Sequence, residues 1–302
     1  MGNKLCKLFY FLSKKLSGNV LKKGKTKLLN FFKRFNYKFK IGYQLMKLSK
    51  GNRHSNFLKE KIFLPVFYIN LERKKKRDLN ISSYLDSYFT NINRVNAIDG
   101  LKLEGNCFKG EIDYFSYDFT DFSEVNNCFE VACLLSHLKV IKIINQKNLD
   151  YALVLEDDVS LEVISKWDES LDEIILNCPK DFDIIKLHFQ KSKLYKNLKL
   201  LNKNIRYRKL DFIPNREWST AAMVYSKKGI MSLTKKFNFE NLVLSRDEYK
   251  LLVADYVLYK GLSVYEYTKP LFTTLNDVST IRPNLKGGNQ YFMNKTIRKI
   301  YN

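Results

Sequence analysis

The sequence predicts an α/β domain with a mixed, mostly parallel sheet flanked by helices, preceded by a basic amphipathic helical extension. Three observations carry this reading. Apolar runs of strand length alternate with amphipathic helical stretches. The first strand, helix and second strand follow one another closely enough to form a crossover unit. And the first 60 residues hold 16 Lys and Arg against Glu60 alone, a different composition from the rest of the chain. With 302 residues, 45% of them hydrophobic, the chain is long enough to bury a sizeable core, and disorder is not its default state.

The extension carries +15 of the net +22 charge. Leu5, Phe9, Leu12 and Leu16 form one apolar stripe at helical spacing, and Leu28, Phe31, Phe32 and Phe35 form another between Lys25, Lys27, Lys33, Arg34 and Lys38. Such a helix can lie in the headgroup region of an anionic bilayer, each basic residue contributing on the order of 1 kcal/mol. Residues 1–40 are therefore expected to meet an anionic membrane surface; packing of the stripe on the main domain and non-specific contact with polyanions remain open. No specific nucleic-acid site is expected. No run reaches ~18 uncharged apolar residues, and Lys14, Lys15, Lys22, Lys23 and Lys25 break up any secretory signal. The polar, aperiodic residues 46–61 read as a linker, which divides the chain into an extension (1–60), a main domain (61–285) and a basic tail (286–302).

Residues 62–70 form a continuous apolar run of strand length, and the charged residues 73–78 lead into a helix with Leu79, Ile81, Tyr84 and Leu85. A short second strand, 93–98, stops at the turn pair Asp99-Gly100. Residues 101–127 lack a clean period and suit an irregular loop over a site. Val131, Leu134, Leu135, Leu138, Ile141 and Ile144 mark a long helix feeding a strand at 151; further strands are expected at 182–187 and 220–225, and helices at 227–237 and 247–260. The Asn- and Lys-rich tail after Ile281 is expected to be mobile. Five scattered cysteines (Cys6, Cys107, Cys128, Cys133, Cys178) without CxxC spacing argue against a zinc site or a disulfide framework and suit a reducing compartment. Cys128 and Cys133 are expected to pack as small hydrophobes, with pairing or metal binding as the alternatives.

The strand at 151 ends abruptly in Glu156, Asp157 and Asp158. At an effective dielectric of ~20, two like charges 4 Å apart repel by roughly 4 kcal/mol, so something must compensate them. A hard divalent cation, Mg²⁺ or Mn²⁺, would do so with oxygen ligands. Capping of a following helix by Asp158 or Ser160 is the alternative.

Several pieces in order resemble glycosyltransferase family 25, the lipopolysaccharide glycosyltransferases to which collagen galactosyltransferases are related. They are Val66-Phe67-Tyr68-Ile69-Asn70-Leu71-Glu72-Arg73 with Arg77; Asn96-Ala97-Ile98-Asp99-Gly100; Glu130 through His137; Tyr151 through Val159; and, more faintly, Ser219 to Gly229 and Val253-Ala254-Asp255. The chain departs from the family pattern at Ala132, Ile141 and Ala254, which are packing positions. The resemblance implies a GT-A-like fold, a nucleotide-sugar donor and inversion at the anomeric carbon. Glu156 and Asp158, two apart on an extended segment, would face the same side and hold Mn²⁺ or Mg²⁺. Asn70, Arg73, Arg77, Asp99, His137 and Asp157 would serve the donor, the guanidinium forks suiting phosphate. Asp255 is the expected base for the acceptor hydroxyl, with Asp247 and Glu248 as rivals, and His188 can complete a metal shell. The resulting expectation is a cytoplasmic enzyme, peripheral on the inner face of the cell membrane. It would move a hexose, galactose from a UDP-sugar first of all, by β-galactosyl transfer to a lipopolysaccharide, lipooligosaccharide or other lipid-linked glycan acceptor. A metal-dependent phosphoryl-transfer enzyme and a catalytically silent membrane- or glycan-binding module are the alternatives.

Overall fold

The computed structural model describes residues 61–103, 128–188, 191–211, 219–239, 252–275 and 288–301, the pairs 107–108, 115–116 and 242–243, and isolated residues between 39 and 46. The basic extension, the linker and most of the 101–127 loop lie outside these residues, as do Asp247 and Glu248.

A seven-stranded sheet forms the centre of the domain. In chain order its strands are β1 (Val66–Asn70), β2 (Ile92–Asn96), β3 (Tyr151–Glu156), β5 (Ile184–Lys186), β6 (Tyr207–Lys209), β7 (Ala222–Ser226) and β8 (Val264–Tyr267). β4 (Val159–Ser160) pairs separately with β9 (Thr273–Thr274). Across the main sheet the order is β2-β1-β3-β7-β5-β8-β6. β2, β1, β3, β5 and β8 run in one direction, while β7 and β6 run antiparallel to their neighbours. The expected α/β fold with a mixed, mostly parallel sheet is what forms.

Helices cover both faces, which is why β1 is apolar throughout: all five of its residues are buried, as a parallel strand between two helical layers requires. One layer contains α1 (Lys75–Tyr88), α3 (Leu171–Asn177), α4 (Lys191–Leu201) and α7 (Gly288–Tyr301), packed on Val66, Tyr68, Leu153, Leu155, Ile185 and Val224. The other contains α2 (Cys128–Gln146), α5 (Lys227–Lys236) and α6 (Ala254–Tyr259), packed on Phe67, Ile69, Ala152, Val154, Ile184, Met223 and Tyr225. Side chains alternate across each strand, so adjacent residues feed opposite layers.

Several elements differ from expectation: the strand expected at 62–70 begins at Val66, and of the helix expected at 247–260 the described residues form only Ala254–Tyr259. In α1 the buried face is Arg77, Ile81 and Leu85 at four-residue spacing, whereas Leu79 and Tyr84 point to solvent. The tail, expected to be mobile, forms the helix α7, whose Met293, Ile297, Ile300 and Tyr301 are buried in the first layer; its abundant Lys and Asn mask a sound i, i+4, i+7 stripe. Among the described residues no helix is long and apolar enough to cross a membrane.

Candidate active site

β3 ends at Glu156, and Asp157 and Asp158 form the turn into β4. The three carboxylates are thus brought together by a turn rather than by alternation along a strand, and the backbone N–H of Leu275, just past β9, donates to the Asp158 carbonyl at 2.7 Å.

Each acid has a different environment. Asp157 accepts from Asn70 Nδ2 at 2.8 Å and from Arg77 at 3.0 Å. Asn70, at the end of β1, is fully buried and its own Oδ1 accepts from Arg94 at 2.9 Å. Arg77, expected at a donor phosphate, is only 8% exposed and holds the acid turn from α1. Burial pushes the Asp157 carboxyl up, with the Arg77 charge opposing. Asn70, Arg77 and Asp157 therefore act together as an internal brace.

Glu156 accepts from Thr220 Oγ1 at 2.6 Å and lies 3.2 Å from His137 Nε2. Burial pushes its carboxyl up, but the hydrogen bond and charge of His137, followed by Thr220, outweigh this and hold it below its usual range. Asp158 has no such help. Its Oδ1 is buried without a hydrogen-bond partner, and burial, then the charges of Glu156 and Asp157, push the carboxyl to about 7. An orphaned carboxylate oxygen near a second carboxylate offers hard oxygen donors, which fits Mg²⁺ or Mn²⁺. Cys133, His137 and Glu156 form a second group, with one donor atom from each lying within 4.8 Å of the others.

A cleft opens beside the turn. Ile69, Leu71 and Arg73 wall it from the end of β1; Ala97, Ile98 and Gly100 from the end of β2; Phe129, Ala132, Cys133, Ser136 and His137 from α2; Glu156 and Asp157 complete its lining. Carboxyl ends of parallel strands are where such sheets bind ligands. At the mouth Arg73 Nε donates to Asp99 Oδ2 at 2.6 Å. That bond, working against burial, holds the Asp99 carboxyl below its usual range. Asp99 Oδ1 also accepts from the Leu101 N–H at 3.1 Å, capping a short 3₁₀ turn. Gly100 touches α2 so closely that a Cβ there would lie 2.7 Å from Phe129 Cδ1 and 2.9 Å from its Cα. Ser136 reaches back to this wall, accepting from the Ile98 N–H at 2.9 Å.

Asp255 stands in the first turn of α6, with Oδ1 buried and unpartnered. Burial pushes its carboxyl to about 6; Lys186 opposes, and the Glu156 charge adds to the rise. The Ser219 backbone N–H supports it. Ser219 is bent into the left-handed region (φ +98°), strain of the kind that collects at functional sites. Its Oγ lies 2.6 Å from His188 Nδ1 and its carbonyl accepts from Tyr259 Oη at 2.6 Å. His188 is buried, and burial with the nearby Lys186 charge lowers its pKa to about 4, so it is neutral. Lys186 is itself fully buried, 3.8 Å from Glu266 and 5.2 Å from the Tyr259 ring centre. The structure thus gathers Glu156, Asp158, His137, His188 and Asp255 from β3, its turn, α2, the end of β5 and α6. Ser219 and Thr220 entered only as the start of a faint strand-and-turn resemblance and Lys186 only as a strand residue, because a Thr, Ser or Lys near a strand end is commonplace until its partners are known.

The family model described as glycosyltransferase family 25 (LPS biosynthesis protein) matches residues 63–250. No curated protein matches the chain. The match takes in the acid turn, the cleft walls and Ser219, and stops short of Asp255. The fold, the order of the motifs and this match agree that the chain belongs to glycosyltransferase family 25, a family of lipopolysaccharide-biosynthesis transferases.

Proposed function

We propose that the protein is a divalent-cation-dependent, inverting hexosyltransferase that uses a UDP-sugar, UDP-galactose first of all, and acts on a lipopolysaccharide, lipooligosaccharide or other surface glycan. The observation that carries this is the acid turn itself: the unpartnered Asp158 oxygen and Glu156 lie at the end of the same strands that build the cleft.

Glu156 and Asp158 would hold the cation. Bound there, it would neutralise a diphosphate and stabilise the leaving nucleotide. Asn70, Arg77 and Asp157 keep the turn in place, since a buried Asp157 without Arg77 would be an uncompensated charge. Ile69, Ile98 and Phe129 give the cleft apolar walls against which a base can stack, and the Arg73–Asp99 pair at its mouth offers a donor and an acceptor to the nucleotide. Asp255 takes the proton of the acceptor hydroxyl. Its carboxyl, pushed to about 6, is ionised at neutral pH yet basic enough to accept a proton. Ser219 orients it through the backbone N–H. The basic residues 1–40 would keep the enzyme on the cytoplasmic face of the membrane, beside a lipid-linked acceptor; the +15 charge of the first 60 residues supports this.

The test is nucleotide release from UDP-, GDP- and CMP-sugars with Mn²⁺ or with EDTA, comparing the native chain with Asp158→Ala. Metal-dependent release from one UDP-sugar, lost in the variant, is the expected result. Absence of release from every donor with glycan acceptors present would favour a silent binding module and overturn the proposal.

A further inference from the structure

We infer that Cys133, His137 and Glu156 form a second metal site, selective for a thiol-seeking cation of the Zn²⁺ class, and that its occupation withdraws Glu156 from the proposed donor-cation site. The binding part stands on the geometry alone; the inhibitory part rests on the function proposed above.

Cys133 and His137 are four residues apart on α2 and so share a face. That face meets the end of β3, where His137 Nε2 lies 3.2 Å from Glu156 Oε1 and one atom from each of the three residues falls within 4.8 Å of the others. Ligand atoms around a tetrahedral Zn²⁺ stand roughly 3.3–3.6 Å apart, so one edge is already at coordination distance and the others close with a side-chain movement of about 1 Å. His137 is only 1% exposed, and its Nδ1 has no hydrogen-bond partner among the described residues, so the ring is not fully occupied by the protein's own hydrogen bonding. Cys133, His137 and Glu156 all line the cleft, which leaves an entry path and an open fourth position for water. Three protein ligands and one open position is the usual make-up of an accessible zinc centre.

The donor set decides the metal. Sulfur, nitrogen and one carboxylate oxygen suit Zn²⁺ or Co²⁺, whereas Mg²⁺ and Mn²⁺ favour the all-oxygen pair of Glu156 and Asp158. Both sites need Glu156, so they exclude one another. Metal capture breaks the Cys133 S–H bond, forms a sulfur–metal bond and releases the proton to water.

The experiment titrates the full chain with Co²⁺ and compares native protein with Cys133→Ser and Cys133→Ala, each confirmed as folded by circular dichroism. A thiolate-to-cobalt charge-transfer band saturating at one ion per chain, displaced by Zn²⁺ and absent from both variants, is expected. Zn²⁺ should protect Cys133 from alkylation, and Mn²⁺ should not. In nucleotide release, the Zn²⁺ concentration that halves the Mn²⁺-supported rate should rise at least about tenfold in Cys133→Ser. A native protein without the band, or variants that bind Zn²⁺ as tightly as the native chain, would overturn the site. A band present with Zn²⁺ inhibition unchanged in the variants would overturn the exclusion alone. Should no donor be turned over, the band and the alkylation pattern still decide the site, because neither needs turnover.

Discussion

Replacing Asp158 with Asn tests the electrostatics of the acid turn directly. Burial, then the charges of Glu156 and Asp157, carry its carboxyl from the ordinary 3.8 to about 7. Between those values the folded protein keeps a proton that the unfolded chain has lost. Stability of the metal-free protein therefore falls as pH rises through this window. At about 1.4 kcal/mol per pH unit, the burden above pH 7 is about 4 kcal/mol. Asparagine has almost the same shape and carries no charge in either state. In EDTA, Asp158→Asn should be more stable than the native chain by about 4 kcal/mol at pH 8, or roughly 10 °C in Tm for a domain of this size. The gap should shrink to less than half of that at about pH 5, where most of the native carboxyl is protonated in the folded state. Mn²⁺ at a hundredfold excess over Kd should narrow the gap at pH 8 to about 1 kcal/mol, stabilising the native chain by about 2.7 kcal/mol and leaving the variant unmoved. Thermal unfolding followed by circular dichroism at the two pH values reads all of this. Equal Tm values at pH 8 in EDTA would refute the reasoning, because they would mean that Asp158 is solvated or paired.

Arg77→Met leaves Asp157 buried without its cation and should cost about 3–5 kcal/mol, measurable as a lower denaturant midpoint with an unchanged m-value. Gly100→Ala drives a Cβ into Phe129 and should cost about 1–3 kcal/mol while weakening nucleotide binding, since the wall at Ile98 must shift; calorimetry with UDP would show it. The acid limb of turnover against pH should fall below about 6, where Asp255 gains a proton and can no longer accept one; Asp255→Asn should abolish turnover while leaving UDP binding in place.

How far the site was legible depends on how far apart its parts lie in the chain. The carboxylate triplet stood out because three adjacent like charges ending an apolar run call for compensation, by a cation or by a helix N-terminus, and Asp255 because an acid lay among Leu251, Leu252 and Val257. Arg77 shows the limit. An arginine just beyond a strand looks ready for phosphate, yet here it turns inward to an aspartate 80 positions away, and only the packing of α1 against β1 reveals the pair. Cys133 shows the same limit. Its spacing from Cys128 left metal binding only an alternative to packing as a small hydrophobe, whereas α2 sets it one turn from His137 and the sheet brings Glu156 beneath both.

Local chemistry along the chain settled the features that depend on neighbours in sequence. Apolar runs of strand length, helical stripes and the turn pair Asp99-Gly100 sufficed for an α/β domain, for its first strand, helix and strand, and for the acids at the end of β3. Charge counting located the basic extension. What only the tertiary structure decided depends on long-range pairing. The antiparallel insertion of β7 between β3 and β5 places Thr220 on Glu156 and Ser219 beside His188 and Asp255. The same packing divides three adjacent carboxylates into one braced, one hydrogen-bonded and one unpartnered acid. Their identical charge is written in the sequence, but their different solvation exists only once strands distant in the chain have closed around them.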